Sequence, residues 1–349
     1  MADPRYFDHA ASTPLDPRVF EAMMSAYQRL PGNAHAVHGA GREARHAVEF
    51  AREQVALAIG AEDPQQIIFT SGATEANETV IRAHSGAISP FEHSAVRAAA
   101  NGYEVLGNHG YDLVAPVASD FLSVMSVHNE TGARWDVRSL PAKTRHSDMT
   151  QSLGKEAVGV TGLDFASFSA HKLNGPKGVG AIYSVEGRIE PLLRGGGQEL
   201  GNRGGTLNVP AILGFGLAAE IARVEWPERA QHTAALREQF LSTLSKEPDL
   251  TMNGGPNPVP HILSLSFSGI EGESIVLGLD ELGFAVSAGA ACSSGSTEVS
   301  PSLRALGLPD ELARGTVRIS FGLGNTAESA DDLAEALLST VRRLRRLRT

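Results

Sequence analysis

LDFASFSAHKLNGPKGVGAIYSV, residues 163–185, contains two short apolar segments on either side of a polar, glycine-rich turn. Each segment has the length and the flanking residues of a buried β-strand. The turn places Ser169, His171 and Lys172 directly after a strand, and strand ends are where α/β sheets bind ligands. Poor solvation at such a place lowers the pKa of a lysine and leaves a nucleophilic amine. Because most lysines are simply solvated, Lys172 needs support from the rest of the chain.

Helix-like and strand-like segments alternate on both sides of this stretch. Upstream, residues 43–60 have the periodicity of an amphipathic helix, and apolar runs at 65–70 and 121–127 have the length of buried strands. Downstream, residues 209–226 and 228–246 predict two separate helices. Strands that alternate with helices indicate a largely parallel, doubly wound α/β sheet.

The pattern changes in the last third of the chain. HILSLSFSG and TVRISFG are strand-like, and the chain ends in an amphipathic helix. These segments predict a smaller α+β domain. We expect a large domain over residues 15–232 and a small domain formed by residues 1–14 and 233–349.

Charge and hydropathy exclude several classes of protein. The 349 residues carry a formal net charge of −10, whereas nucleic acid or an anionic membrane would bind a basic face. No run of about 18 apolar residues is present, and the N-terminus MADPRYFDHAAS lacks the basic and then apolar order of a secretion signal. We therefore expect a cytoplasmic protein with a small substrate, without direct contact with nucleic acid or membrane.

The chain contains one cysteine, Cys292, which excludes an intramolecular disulfide and a multi-cysteine metal site. Its neighbours in SAGAACSSGSTEVS are mostly small and flexible and cannot pack a core, whereas a structural cysteine usually packs among apolar side chains. Such a segment suits a reactive thiol that changes position during a reaction. We therefore interpret Cys292 as a nucleophile, and we expect no metal site.

Two motifs upstream of Lys172 support a ligand site. TSGATEAN begins a helix directly after a strand, so the backbone N–H groups near Ala73 and Thr74 can bind an anion, although side-chain capping also explains the motif. HSDMTQSLGK places Asp148 and Gln151 three residues apart. A carboxylate at that place can keep a pyridine nitrogen protonated.

Together these motifs resemble those of the class-V aminotransferase group of fold-type-I pyridoxal 5'-phosphate (PLP) enzymes. The motifs that carry the resemblance are, in order, TSGATEAN, EHSAV, HNETG, DMTQSLGK, SFSAHKLNGPKG and GNRGGTLNVP. The similarity extends over essentially the whole chain, and SAGAACSSGSTEVSPSLRALG resembles the active loop of cysteine desulfurases of the NifS/IscS type. The resemblance implies an α/β fold in which a mostly parallel seven-stranded sheet, flanked by helices, is joined to a smaller α+β C-terminal domain.

The resemblance also implies how the chain binds PLP. Lys172 is implied to be the Schiff-base lysine, His93 to stack on the pyridine ring and move protons, and Asp148 to pair with the ring nitrogen. Gln151 and Asn129 are implied to lie near the phenolic oxygen.

A second set of residues is implied to hold the PLP phosphate. Four belong to the same subunit, and Thr206 is implied to reach the phosphate from the other subunit of a homodimer. The four are Ala73, Thr74, Ser169 and His171.

The substrate implied by the resemblance is L-cysteine. Its carboxylate is implied to bind Arg318, because a guanidinium fork suits a carboxylate, with Asn33 and Asn129 nearby. Taken alone, Arg318 could also form a surface ion pair, which is common and weak in energy, but the carboxylate role is the favoured interpretation. Arg203 also matches a family position near the site.

The resemblance implies a cysteine desulfurase reaction. L-cysteine displaces Lys172 from PLP, the lysine amine takes the Cα proton, and Cys292 attacks the substrate sulfur as a thiolate. The products are L-alanine and a persulfide on Cys292, which passes its sulfur to an acceptor protein. His93 is implied to help ionise the thiol, because a thiol with a pKa of about 8.5 is only slightly ionised at neutral pH.

Two other functions stay open at this point. A selenocysteine lyase or another class-V enzyme would keep Lys172 and still turn over after Cys292→Ala. A degenerate relative would act only as a scaffold in a sulfur-transfer complex. Iron–sulfur cluster assembly, tRNA thiolation and DNA phosphorothioation all consume such persulfides, and no residue pattern selects among them.

Two segments are short for this family. YDLVAPVASDFLSVMS, from Tyr111, lacks a helix that relatives carry, and WDVRSLPAKTRHSD, from Trp135, lacks a helix and an apolar strand before Asp148. TRHSD is unusually polar for a central strand.

Overall fold

The short apolar runs of the sequence form the strands, and the segments of helical periodicity pack around them. A computed structural model describes residues 3–244, 249–289 and 299–347. Within these ranges the α-helices are α1 Pro17–Arg29, α2 Gly39–Ile59, α3 Ala73–Arg82, α4 Ser94–Ala99, α5 Val209–Leu244, α6 Gly272–Asp280, α7 Pro301–Ala305, α8 Asp310–Arg314 and α9 Ala327–Arg346. The strands are β1 Ile67–Thr70, β2 Ala87–Ile88, β3 Glu104–Val105, β4 Asn108–His109, β5 Asp112–Leu113, β6 Phe121–Ser123, β7 Thr144–Asp148, β8 Phe165–Ser169, β9 Gly180–Ser184, β10 Leu250–Asn253, β11 Ile262–Phe267, β12 Ser287–Ala288 and β13 Thr316–Ser320.

The large sheet has seven strands in the order β1-β9-β8-β7-β6-β2-β3. All neighbouring strands run parallel except β9, which is antiparallel to both β1 and β8. The mostly parallel seven-stranded α/β sheet implied by the sequence is therefore confirmed. Because β1, β7 and β8 point the same way, their carboxyl ends meet at one edge of the sheet, where ligands bind in folds of this kind.

A smaller antiparallel sheet, in the order β10-β11-β13-β12, forms a second layer with α6 and α9. The N-terminal segment belongs to it, because Tyr6 bridges to Ala285 and Asp8 bridges to Ser320. Phe7 is fully buried in the same hydrophobic cluster as the strands of this sheet. The predicted α+β part of the fold is confirmed.

Helix α5 corrects the sequence analysis, which predicted two helices where the structure has one. Pro227 lies inside the helix, where it removes one backbone hydrogen bond and usually bends the axis. Packing on both sides of the proline holds the helix together, because the first half lies against α1 and α2 and the helix also contacts α9. Residues 209–222 join the core of the large sheet, whereas residues 236–244 join the core of the small one. We propose that the domain boundary at 232/233 lies inside this continuous helix.

Strand β7 is central in the large sheet although its sequence is polar. His146 is fully buried, and its ring nitrogens lie 2.9 Å from Ser123 Oγ on β6 and 3.0 Å from Ser167 Oγ on β8. These hydrogen bonds satisfy the polar atoms that burial would otherwise leave unpaired. Between β6 and β7 the chain forms only a single 3₁₀ turn, Val137–Ser139, where the sequence analysis noted a missing helix.

A buried ion pair supports β1, the strand at one edge of the large sheet. Arg52 on α2 pairs with Glu199 at 2.8 Å, and both side chains are almost completely buried. The Glu199 carboxylate also accepts a hydrogen bond from the Phe69 backbone N–H at 2.7 Å. A pair removed from water is stable only when its remaining hydrogen bonds are satisfied. This one fixes β1 just before the turn that leads into α3.

Candidate active site

A cavity of about 490 Å³ opens at the carboxyl ends of the central strands. Its size is within the range of small-molecule and cofactor sites. Most residues that the sequence analysis singled out lie in its wall. It is lined by Ala10, Ala11, Ser12, Ser71, Gly72, Ala73, Thr74, His93, Met125, Asn129, Asp148, Thr150, Gln151, Ser169, His171, Lys172, Lys177, Gly178 and Arg318.

Lys172 ends a short 3₁₀ turn, Ala170–Lys172, that follows β8 directly. The side chain is half-buried, and its Nζ donates to the carbonyl oxygens of Ala10 at 2.5 Å and Ala11 at 2.7 Å. A primary amine held at the wall of a cavity is suited to covalent chemistry with a carbonyl compound.

The start of α3 supplies an anion site next to the lysine. Gly72 is the N-cap residue and has no side chain to cap the helix, so the backbone N–H groups of the first turn are available to an anion. A Cβ on Gly180 of β9 would lie only 2.6 Å from Gly72 Cα. Glycine at position 180 therefore lets β9 approach the turn closely, which sets the turn at the cavity wall.

Asp148 ends β7 and is only 4% exposed. Its carboxylate accepts hydrogen bonds from Asn77 Nδ2 at 2.7 Å and from the Thr150 backbone N–H at 3.0 Å. Within the described part of the chain, the buried Thr150 hydroxyl has no hydrogen-bond partner. The cavity wall thus holds an oriented carboxylate and a polar group that a ligand can satisfy.

His93 precedes α4 and caps it, because its Nδ1 accepts a hydrogen bond from the Ala95 N–H at 3.1 Å. The neutral imidazole therefore carries its proton on Nε2. Burial lowers the pKa of His93, the charge of Asp148 opposes this shift, and the positive charges of Lys172 and Arg97 add to it. His93 is consequently a neutral imidazole at pH 7.

Arg318 on β13 brings the small sheet to the cavity. Its guanidinium pairs with Asp8 at 2.7 Å and donates to the Asn129 carbonyl oxygen at 2.8 Å. Its Nε is buried and has no hydrogen-bond partner among the described residues. The group is held from two sides and keeps donor capacity for an anionic ligand.

Two further cavity residues, Gln151 and His171, contact the N-terminal segment. Gln151 donates from Nε2 to the Ala10 carbonyl at 2.9 Å, and His171 Nδ1 lies 3.2 Å from Ser12 Oγ. Burial lowers the pKa of His171 to about 4, and the charge of Lys172 contributes to the shift. His171 is therefore also neutral at pH 7.

Some predicted residues lie elsewhere. Asn33 and Thr206 are exposed and do not line the cavity. Arg203 pairs with Glu75 at 2.9 Å, and Glu75 accepts from the Ser71 N–H, so Arg203 braces the start of α3 from outside. Cys292 lies outside the described residues.

The sequence analysis missed several residues that shape the cavity. Ala10 and Ala11 act through backbone carbonyls, which leave no side-chain signal. Asn77 stands inside the motif TSGATEAN, one helical turn after Ala73, so helix periodicity places it on the same helix face as Ala73, but its contact with Asp148 comes from the tertiary structure. Asp8 pairs with an arginine some 300 positions away, and spacing cannot predict that.

Comparison with known proteins identifies the family. A family model described as aminotransferase class-V matches residues 5–101 and 115–333. The chain belongs to this family. Among its class-V relatives, the cysteine desulfurase IscS of Rickettsia typhi is 39% identical over 386 aligned positions, which cover 99% of this chain and 92% of the relative.

Solved structures give the same family assignment. A NifS-like protein superposes with a TM-score of 0.87 at 32% identity, covering 98% of this chain and all of the other. A structure described as SspA in complex with cysteine superposes with a TM-score of 0.76 at 28% identity, covering 92% of this chain and all of the other. The class-V match leaves out residues 102–114, which overlap one of the segments that are short for the family.

Class-V aminotransferases are PLP enzymes, and PLP is the cofactor of this chain. The cavity fits it on three counts. It has an amine, Lys172, a helix start without a side-chain cap for the phosphate, and the buried carboxylate of Asp148. The unpartnered Thr150 hydroxyl adds a polar atom that a bound group would satisfy.

His146, a buried histidine on the same strand as Asp148, makes the stability of the protein depend on pH. Burial lowers the pKa of His146 to about 4, against the opposing charge of Asp148. Because the unfolded chain binds this proton with an ordinary pKa of about 6.5, the contribution to stability is complete above pH 6.5 and is lost as the pH falls towards 4. Between pH 7 and pH 5 the loss amounts to about 2 kcal/mol.

We expect His146→Asn to remove about 2 kcal/mol from the change in unfolding free energy between pH 7 and pH 5. Urea unfolding of both proteins at the two pH values measures this difference. The other buried histidines contribute equally to both proteins and cancel. An identical pH dependence in the two proteins would show that His146 takes up no proton on unfolding.

Proposed function

We propose that the protein is a PLP-dependent cysteine desulfurase that converts L-cysteine to L-alanine and passes the sulfur to an acceptor. One observation carries the proposal: a single cavity brings together the Lys172 amine, the Asp148 carboxylate, the His93 imidazole and the Arg318 guanidinium. The full-length similarity to IscS and the SspA structure described with cysteine support L-cysteine as the substrate.

The large domain would hold PLP. Lys172 would bind it covalently, Asp148 would face the ring nitrogen, and His93 would cover one face of the ring. The phosphate would lie at the start of α3, near Ala73 and Thr74. When bound, PLP withdraws electrons from the substrate Cα and so makes the Cα proton acidic.

Each ionisable group around the cofactor would have its own role in the reaction. Asp148 is a hydrogen-bonded carboxylate, which keeps a positive charge on the ring nitrogen favourable. The Lys172 amine, once displaced by the substrate, would accept the Cα proton. His93, neutral at pH 7 and with Nδ1 occupied by the Ala95 N–H, would donate a hydrogen bond from Nε2–H to the sulfur of an incoming thiol and so favour its ionised form.

The remaining phosphate and phenolic contacts would come from side chains already at the wall. Ser169 Oγ lies 3.6 Å from where a Cβ on Gly72 would be, at the helix start, and His171, Gln151 and Asn129 also line the cavity. His171 is held as a neutral imidazole by burial and by neighbouring cations, so it would donate a hydrogen bond rather than a full charge.

Cys292 would carry the sulfur. Its thiolate would attack the substrate sulfur, so that a new S–S bond forms while the substrate C–S bond breaks and its electron pair returns to carbon. Protonation at that carbon yields alanine and leaves a persulfide on the enzyme. The support for this role is the local sequence SAGAACSSGSTEVS and its similarity to desulfurase loops.

The class-V relatives of this kind are generally dimers. We propose that Thr206 completes the phosphate site of the second subunit of a homodimer, because it is exposed next to Gly205, which has a φ of 102°. Asn33 would approach the substrate site. A separate sulfur-acceptor protein would then take the persulfide sulfur in the cytoplasm.

Incubation of the PLP-loaded protein with L-cysteine and a thiol reductant tests the function. We expect alanine and sulfide in equal amounts. We expect no product from L-serine, because the Cys292 thiolate can attack the sulfur of L-cysteine but not the hydroxyl oxygen of L-serine. Pyruvate and ammonia in place of alanine would indicate elimination chemistry. Turnover of L-selenocysteine alone would instead establish a selenocysteine lyase.

Arg318→Lys is expected to lower kcat/KM for L-cysteine by roughly 10- to 100-fold, mainly through KM. A lysine keeps the charge but loses the fork that binds a carboxylate with two hydrogen bonds, and hydrogen bonds to charged groups contribute about 1.5–3 kcal/mol. Steady-state kinetics measure the change, and the visible spectrum should show unchanged PLP binding. Equal KM values would exclude Arg318 from binding the substrate.

A further inference from the structure

Lys155 is a basic residue close to the cofactor cavity that the proposed reaction does not use. It is partly buried, and its Nζ donates to Gln151 Oε1 at 2.7 Å. It also lines a second, small cavity of about 40 Å³, whose wall includes His9, His261 and Lys172. Lys172 therefore separates this small cavity from the cofactor cavity, which it also lines.

The surroundings of Lys155 disfavour its charged form, so a role in an ion pair does not explain its position. Burial lowers the pKa of Lys155 well below its ordinary value, and the positive charges of Lys172 and Arg318 lower it further. Glu156 acts in the opposite direction, but it pairs with Arg134 at 3.1 Å. Within residues 3–244, 249–289 and 299–347, Lys155 makes no ion pair. Its specific contact is the hydrogen bond to Gln151.

That contact determines which way the Gln151 amide points. Oε1 accepts from Lys155, and Nε2 donates one hydrogen to the Ala10 carbonyl at 2.9 Å. A 180° flip of the amide would set Oε1 against the Ala10 carbonyl oxygen and would remove the oxygen that accepts from the Lys155 amine. The amine and the Ala10 carbonyl together select one orientation, and the second hydrogen on Nε2 stays available at the cavity wall.

The same carbonyl oxygen connects the amide to the covalent lysine. Ala10 O accepts from Gln151 Nε2 and also from Lys172 Nζ. A continuous path of hydrogen bonds thus runs from Lys155 through Gln151 and Ala10 to Lys172.

We propose that Lys155 is a positioning residue that fixes the Gln151 amide with an N–H directed at the phenolic oxygen of PLP. The proposal rests on the proposed function, because PLP is the group that receives this N–H. An N–H beside the phenolic oxygen stabilises its negative charge and weakens proton binding at the adjacent linkage to Lys172. Lys155 thereby sets the pH at which the linkage loses its proton.

The test is a pH titration of the visible absorption of the PLP-loaded protein without substrate. We expect Lys155→Met to raise the midpoint by about one pH unit, a tenfold increase in proton affinity. Lys155→Gln keeps a neutral donor for Gln151 Oε1 but removes any charge. We expect its midpoint to stay within about 0.3 unit of the wild type.

Two outcomes would overturn the proposal. If both variants shift the midpoint equally, the charge of Lys155 and not its hydrogen bond is responsible; if neither shifts it, Lys155 has no influence on the linkage. Should Lys155→Met fail to fold, Gln151→Met supplies the reference instead. Adding Lys155→Gln to it should then leave the midpoint unchanged, and a further shift would contradict action through Gln151. Failure of the proposed function is distinguishable, because the wild type would then show no PLP absorption band or no turnover of L-cysteine.

Discussion

Replacing Lys172 by alanine is expected to lower the rate of alanine formation from L-cysteine by roughly 10²–10⁴-fold, the range that a positioned acid–base group contributes. The amine has two tasks in the proposed reaction, since it binds PLP covalently and then accepts the Cα proton. Among the described residues, two other lysines lie near the cavity: the Lys155 amine is hydrogen-bonded to Gln151, and the Lys177 side chain is exposed to solvent. We expect neither to replace Lys172. Alanine formation under saturating PLP measures the effect.

Lys177→Ala is the matched control, because Lys177 also lies at the cavity and belongs to the same loop. We expect this variant to keep the visible band of covalently bound PLP and to lose less than about tenfold in rate. Lys172→Ala should still take up PLP, but borohydride should no longer attach it to the protein. Retention of borohydride-stable PLP in Lys172→Ala, or its loss in Lys177→Ala, would show that a residue other than Lys172 binds PLP covalently.

The sequence predicted the large sheet well, because buried strands have a local signature. The apolar run at 163–169 became strand Phe165–Ser169, and the run at 178–185 became Gly180–Ser184. The helix junction at Pro227 was predicted wrongly, since a proline usually ends a helix when nothing else holds it. Here two separate hydrophobic cores hold the two halves of α5, and only the tertiary structure contains that information.

The polar strand TRHSD is a second case in which tertiary contacts decided an element that the local sequence made unfavourable. Its side chains indicated an unfavourable central strand, yet Ser123 and Ser167 on the neighbouring strands receive His146 at hydrogen-bond distance. Partners that are 21 and 23 positions away in sequence compensate for the polarity. A single strand cannot reveal them, because the register between strands decides which side chains meet.

The sequence predicted the side chains of the candidate site better than the groups of the N-terminal segment that hold them in place. Lys172, Asp148 and Gln151 follow strands, so the α/β pattern placed them at one edge of the sheet. The carbonyl of Ala10 and the carboxylate of Asp8 come from the N-terminal segment, which is held at the cavity by its bridges to the small-sheet region and by the burial of Phe7 in the hydrophobic cluster of that sheet. These contacts depend on how the N-terminal segment and the small sheet pack against the large sheet, and they have no signature in sequence spacing.

The second large effect is expected at Cys292. We expect Cys292→Ala to lower sulfide release from L-cysteine by about 10³-fold or more, on the scale seen when other enzymes lose a catalytic nucleophile. Without the only cysteine thiol of the chain, the proposed acceptor of the substrate sulfur is missing, whereas the cavity residues that we propose to bind PLP are unchanged. The visible PLP band should therefore remain, and L-cysteine should still perturb it. Sulfide and alanine assays measure the rate, and the spectrum measures cofactor and substrate binding.

Ser293→Ala is the matched control, because it removes a hydroxyl from the adjacent residue and leaves the thiol in place. We expect it to keep most of the activity. Mass spectrometry of the wild type after L-cysteine should show the mass of one added sulfur atom, removable by a reductant, and Cys292→Ala should show none. Because the chain has a single cysteine, any persulfide must reside on Cys292. Full sulfide release by Cys292→Ala would mean that the sulfur leaves the substrate directly, and the enzyme would then be a lyase of the same family with no persulfide to deliver.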